Sequence, residues 1–130
     1  MMTAPIRLLF VDDESDICRF VEAALKRHGV VTQVAYDGIL AQELFKQSKF
    51  DVVVTDVRMP KCTGFQLLQA IKTVNPAVPV LICSAYTNDF RIVSDAHRFN
   101  PDGMITKPFE ADDLFAAIQQ ATTAKLRGAA

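Results

Sequence analysis

Residues 52–60 read VVVTDVRMP. Residues suited to a buried strand run directly into an aspartate, Asp56, and then into a short loop. A carboxylate at the edge of a core costs desolvation unless something compensates for it. No helix begins nearby for it to cap, since seven residues separate Asp56 from Gly64, where the next helical stripe starts. What compensates Asp56 is the question that leads to both fold and chemistry.

On either side of this stretch, short apolar runs alternate with helical stripes. The runs are IRLLFV at 6–11, VVTQVA at 30–35, VVVT at 52–55, VLIC at 80–83 and MIT at 104–106. After the first, Ile17, Phe20, Val21, Ala24 and Leu25 recur at helical spacing. Ser15 is the expected N-cap of that helix and Gly29 its C′ residue, with Lys26, Arg27 and His28 filling the last turn, where cations suit the helix dipole. Asp37-Gly38 opens a second helix carrying Leu40, Ala41, Leu44 and Phe45. Phe65, Leu68 and Ile71 mark a third, residues 88–99 a fourth, and Leu114, Phe115, Ala117, Ile118 and Ala121 a fifth. Five strands alternating with five helices predict parallel βαβ units with right-handed crossovers, an α/β fold. The first, third and fourth runs are almost wholly apolar, as strands covered on both faces are. The second alternates more and suits a sheet edge.

The bulk properties agree. A chain of 130 residues is one ordinary domain, expected to occupy 1–126, with 127–130 a C-terminal tail or the start of a linker. A net charge of −1 gives no electrostatic footprint for nucleic acid. No apolar run approaches a membrane span, and Met1–Pro5 lacks the basic and apolar regions of a signal peptide. Three widely separated cysteines without a CxxC pattern read as reduced thiols in a cytoplasmic protein. Cys83 is expected in the core; Cys62, in a loop, is placed to be exposed, with nothing to mark it as a low-pKa thiol. His28 reads as a helix C-terminal cation and His97 as a surface residue.

In an open parallel sheet, ligands bind beyond the carboxyl ends of the strands. The first strand ends in Asp12-Asp13-Glu14, the third in Asp56, the fourth in Ser84 and the fifth in Lys107. Each has an ordinary explanation alone: acids before a helix act as dipole partners, and a lone lysine is usually solvated. With Ser15 as the cap, however, Asp12 and Asp13 are surplus to that task. Placement of all four groups at equivalent strand ends is the informative fact. Three clustered carboxylates raise at least one pKa unless a cation sits among them. Oxygen-only ligands suit a hard ion such as Mg²⁺. A metal beside an exposed aspartate, with a lysine and a hydroxyl opposite, is an arrangement for phosphoryl transfer to that aspartate. Lys107 precedes Pro108, so its peptide bond is one of the few that can be cis, which would turn the chain and aim the lysine inward.

These residues make the chain resemble the receiver domain of two-component response regulators over essentially its whole length. The matching motifs are VDDE at 11–14, TDVRMP at 55–60 followed by Gly64, CSA at 83–85 and TKPF at 106–109. The resemblance implies a flavodoxin-like (βα)5 fold, a doubly wound five-stranded parallel sheet of order 2-1-3-4-5; the doubly wound class is known to include a receiver protein. It implies Asp56 as phosphoacceptor, and Mg²⁺ (or Mn²⁺) held by Asp13, Asp56 and the backbone carbonyl of Arg58, with Asp12 acting through water. Ser84 and Lys107 would bind the phosphoryl oxygens, and Ala85 would keep access open. The donor would be a phosphohistidine on a sensor histidine kinase or histidine phosphotransfer protein. The output would be a rearranged face of fourth helix, fifth strand and fifth helix, a face that also allows a homodimer. No contact with nucleic acid or membrane is implied for this domain. Such a domain is not an enzyme of external substrates; it promotes its own phosphoryl transfer and autodephosphorylation.

Three positions depart from the common family pattern. Met104 stands where an aromatic residue is usual, which puts coupling of Ser84 to the output face in question. Arg58 carries a long cation at the site's edge; pairing with the acidic pocket at rest, it would tune phosphoryl lifetime together with Tyr86. Lys61-Cys62-Thr63 replaces a loop more often Gly-Met-Asp.

Competing readings are a phosphorylation-independent pseudoreceiver acting as an interaction module, and a phosphatase of the haloacid dehalogenase type. Intact Asp12, Asp13, Asp56, Ser84 and Lys107 argue against the first. The second needs an aspartate two residues beyond the nucleophile, where Arg58 stands. A flavin site is weaker still, because acids rather than a phosphate-cradling loop follow the first strand. No effector module lies within the 130 residues; a single-domain regulator and a receiver of a longer protein fit equally.

Overall fold

The computed structural model describes residues 4–85 and 89–128. Strands β1 (Ile6–Val11), β2 (Val30–Ala35), β3 (Val52–Asp56), β4 (Val80–Ser84) and β5 (Gly103–Thr106) alternate with helices α1 (Ser15–Lys26), α2 (Gly38–Gln47), α3 (Gly64–Val74), α4 (Phe90–Phe99) and α5 (Ala111–Gly128). The sheet is parallel, in the order β2-β1-β3-β4-β5. This is the flavodoxin-like arrangement expected from the sequence, with the alternating strand, β2, at an edge.

The period of two along each strand divides the core into two layers. Leu9, Val11, Val53, Val80 and Ile82 pack with residues of α2, α3 and α4. Leu8, Phe10, Val52, Val54, Leu81, Cys83 and Ile105 pack with Cys18, Val21 and Leu25 of α1 and Leu114 and Ile118 of α5. Both faces of the central strands are therefore dry, which is why their sequences read as continuous apolar runs. Each fully buried Leu or Ile contributes roughly 1.5–3 kcal/mol, so the three central strands form a rigid frame.

Several helix ends differ from expectation. Ser15 is not the cap of α1: Glu14 occupies that position without a side-chain cap bond, and Ser15 is the first helical residue. The cause is Asp12, whose Oδ1 accepts the Glu14 N–H at 2.9 Å. This short Asx-type turn takes the chain out of β1 and into the helix one residue early. Gly29 has a left-handed φ of 76°, as a C′ residue would, but with Arg27 as the C-cap it stands one position beyond C′. Asp37 caps α2 as expected, accepting the Leu40 N–H at 2.8 Å. Thr63 and Gln66 form a reciprocal capping box at the start of α3. His28 stacks on Phe115 with ring centroids 4.3 Å apart, tying the end of α1 to α5. The last helix continues to Gly128, past the end of the apolar stripe at Ala121.

Cys62 is buried, 6% exposed, not at the surface. Its loop folds back onto the first turn of α2, where a Cβ on Gly38 would stand 2.5 Å from the Cys62 Cβ. Only glycine at 38 permits that approach. Among the described residues no helix is long and apolar enough to cross a membrane.

Candidate functional site

Register places the polar strand ends side by side. Val11 lies level with Thr55, Asp56 with Cys83, and Ser84 with Thr106. The residues that follow or end these strands, Asp12, Asp13, Asp56, Ser84 and Lys107, therefore share one rim. The loop from β3 to α3 is closed tightly beneath it. Gly64 donates its N–H to the Val57 carbonyl at 2.9 Å, and a Cβ at Gly64 would collide with the Asp56 carbonyl oxygen.

Asp12 is completely buried, with both oxygens engaged. Oδ1 holds the Glu14 N–H, and Oδ2 accepts from Lys107 Nζ at 2.6 Å. Asp13 is exposed, and Asp56 lies between these extremes. Asp56 Oδ1 accepts the Val57 N–H at 3.0 Å and stands 3.4 Å from Lys107 Nζ. One ammonium thus serves two carboxylates. The Lys107–Pro108 bond is cis and the lysine points into the site, as the sequence allowed.

The electrostatics follow from burial and from the ammonium that the two carboxylates share. Burial pushes the Asp56 carboxyl above its usual range; Lys107 opposes the shift and the charge on Asp12 adds to it. For Lys107, burial favours the neutral amine, but the hydrogen bond to Asp12 and the charges of Asp56 and Asp12 outweigh it and raise its pKa. Burial disfavours the thiolate at both nearby cysteines. Burial, with help from Asp12, lifts Cys18 to about 11, and burial lifts Cys83 to about 12.

One oxygen from each of Asp12, Asp13 and Asp56 lies within 4.8 Å of the others. Three hard oxygen donors clustered in excess of their cation suit Mg²⁺ or Mn²⁺ rather than a soft metal. Asp12, already committed through both oxygens, suits an indirect contact, and Asp13 and Asp56 suit direct ones. Ser84 is 2% exposed at the end of β4, and its carbonyl accepts the Lys107 N–H at 2.9 Å.

Of the modulating residues, Arg58 meets the start of α4: its Nη2 stands 3.3 Å from Asp89 Oδ2. Asp89 is the N-cap of α4, a partner 31 residues away that no local pattern would reveal. Tyr86 lies outside the described residues. Met104 is 40% exposed on β5 and lines a surface groove of about 410 Å³ with Ile92, Val93, Ala96 and His97 of α4. The capping box that fixes the start of α3 carries a sequence signature, Thr63-x-x-Gln66.

A family model described as the response regulator receiver domain matches residues 8–119. The transcriptional regulatory protein ZraR of Escherichia coli is 35% identical over 116 residues, 89% of this chain and 26% of that protein. The transcriptional regulatory protein DltR of Streptococcus agalactiae is 32% identical over 117 residues, 90% of this chain and 52% of that protein. The chain thus spans between about a quarter and about half the length of these relatives. A receiver domain protein from Clostridium thermocellum superposes with a TM-score of 0.83 at 30% identity, covering 92% of this chain and 96% of that one. Chemotaxis protein CheY4 of Vibrio cholerae gives 0.84 at 28% identity, covering 91% and 99%.

Proposed function

The chain belongs to the response regulator receiver domain family, and from that premise we propose that it is a cytoplasmic phosphoacceptor switch in which Asp56 takes a phosphoryl group from a phosphohistidine. The observation that carries this reading is the charge imbalance at the rim, three carboxylates around one ammonium. The donor is a sensor histidine kinase or a histidine phosphotransfer protein.

Asp56 attacks phosphorus with a carboxylate oxygen, forming the acyl phosphate as the P–N bond to the donor imidazole breaks. β3 holds this carboxylate rigidly, and burial lifts its free energy as an anion, which favours its attack as a nucleophile. The acyl phosphate it forms carries more negative charge than the carboxylate, so the product depends on the cations around it. Lys107 Nζ, already between Asp12 and Asp56, is placed to follow the phosphoryl oxygens, and the Ser84 hydroxyl to donate to one of them. Asp13, Asp56 and the Arg58 carbonyl would hold Mg²⁺, with Asp12 behind a water, and that ion would supply the remaining neutralisation of the transferring group. The domain promotes its own phosphorylation and autodephosphorylation and turns over no external substrate. Output passes through the face of α4, β5 and α5, with Met104 weakening the usual aromatic link from Ser84; the same face is proposed to pair two copies.

Incubation with acetyl phosphate and Mg²⁺, followed by intact mass measurement, tests the reading. One added phosphoryl group is expected on the wild type and none on Asp56→Asn. An unlabelled wild type would leave an interaction module as the better description.

A further inference from the structure

Asp89 serves two groups with its two oxygens. Oδ1 accepts the Arg91 N–H at 2.8 Å and caps α4, whereas Oδ2 holds the Arg58 guanidinium at 3.3 Å. Arg58 sits on the loop two residues beyond Asp56, so this pair links the loop bearing the phosphoacceptor to the start of α4. Among the described residues of α4, Ile92 is the deeply buried one. The pair itself is easily exchanged, because the Arg58 side chain is 61% exposed.

Given the phosphoacceptor reading above, on which this rests, we propose that Arg58 is a charge-sensing latch: held by Asp89 at rest, it transfers to the phosphoryl group on Asp56 and releases the start of α4. A phosphoryl group presents oxygens that accept a guanidinium fork as well as a carboxylate does, with more charge. Asp56 before reaction offers a single charge already shared with Lys107. Phosphorylation therefore changes which anion wins the arginine. The route is independent of residue 104, where the flexible Met104 leaves the usual aromatic link absent.

The size of the effect is bounded. An exposed ion pair is worth up to about 1 kcal/mol, so releasing it loosens α4 by about two- to fivefold. That lies at the low end of allosteric couplings, enough to bias a helix but not to unfold it. By reciprocity, a chain without the Asp89 charge should hold the phosphoryl–arginine contact more readily.

Hydrogen exchange across 89–99, with and without acetyl phosphate and Mg²⁺, tests the latch on wild type, Arg58→Ala and Asp89→Asn. Asparagine keeps the cap oxygen and removes the charge, so capping and latching are separated. The wild type should exchange about two- to fivefold faster in α4 when phosphorylated. Both variants should already exchange at the faster rate and show no further change. Intact mass in the same samples reports the adduct. If the adduct forms and the variants keep the wild-type difference, the latch is overturned while the phosphoacceptor stands; if no wild-type adduct forms, both fall.

Discussion

The two ends of the sheet handle charge in opposite ways. At the amino ends of the strands, Asp102 and Asp51 each meet donors of their own. Asp102 Oδ2 takes the Val80 N–H at 2.8 Å and Lys72 Nζ at 2.7 Å, and that ammonium also donates to the Val78 carbonyl at 2.9 Å. Asp51 accepts the Arg7 N–H at 2.8 Å, and Arg7 Nε donates to the Lys49 carbonyl. At the carboxyl ends, three acids gather around one lysine. The same residue types therefore close one end and leave the other short of positive charge. A rim with matched partners adds stability; a rim with surplus negative charge awaits a cation and an electrophile.

Removing Lys107, the cation that Asp12 and Asp56 share, should give the largest effect. Lys107→Met strands Asp12, fully buried, and should cost about 3–5 kcal/mol of stability in denaturant titration, as loss of one partner of a buried pair does. A second change breaks the other end instead. Asp102→Ala leaves the Val80 N–H without its side-chain acceptor and Lys72 without its counter-charge and should cost about 1–3 kcal/mol, yet leave the extent of Asp56 phosphorylation unchanged by intact mass. Equal loss of phosphorylation in both variants would erase the contrast between the ends.

The smallest effect has the opposite sign. Burial raises the Asp56 pKa, so its protonated form is favoured in the folded state. The stability this lends is fully present below the unfolded carboxyl pKa and is lost as pH rises through the folded value. In EDTA, Asp56→Asn should therefore melt higher than wild type at neutral pH. The gap should close as the pH falls into the acid range. Added Mg²⁺ should raise the wild-type midpoint and move the variant less. A variant that melts lower at neutral pH would contradict the picture of a destabilising carboxylate.

The contrast between the ends was only half legible in the sequence. Asp12, Asp13, Asp56, Ser84 and Lys107 could be read because periodicity marks strand ends and a parallel sheet brings those ends together, whereas strand order came from the resemblance of their motifs to receiver domains. Partners joined across long stretches of chain carry no such pattern: Lys72 with Asp102, Arg58 with Asp89, and His28 with Phe115 all link separate elements. Ser15 misled because Asp12, apparently free to be a surplus acid, makes the turn that starts α1. Cys62 misled because burial of a loop residue depends on Gly38, 24 positions earlier, and not on its own neighbours.

The central claim is that the surplus charge at the carboxyl rim exists to accept one metal and one phosphoryl group at Asp56. Peptide mapping of acetyl phosphate-treated protein, with Mg²⁺ or with EDTA, tests it directly. A single hydroxylamine-labile phosphoryl group should appear on Asp56 with Mg²⁺ and be lost with EDTA. A hydroxylamine-stable group on Ser84 or Thr55, or equal labelling of Asp56 in EDTA, would contradict it.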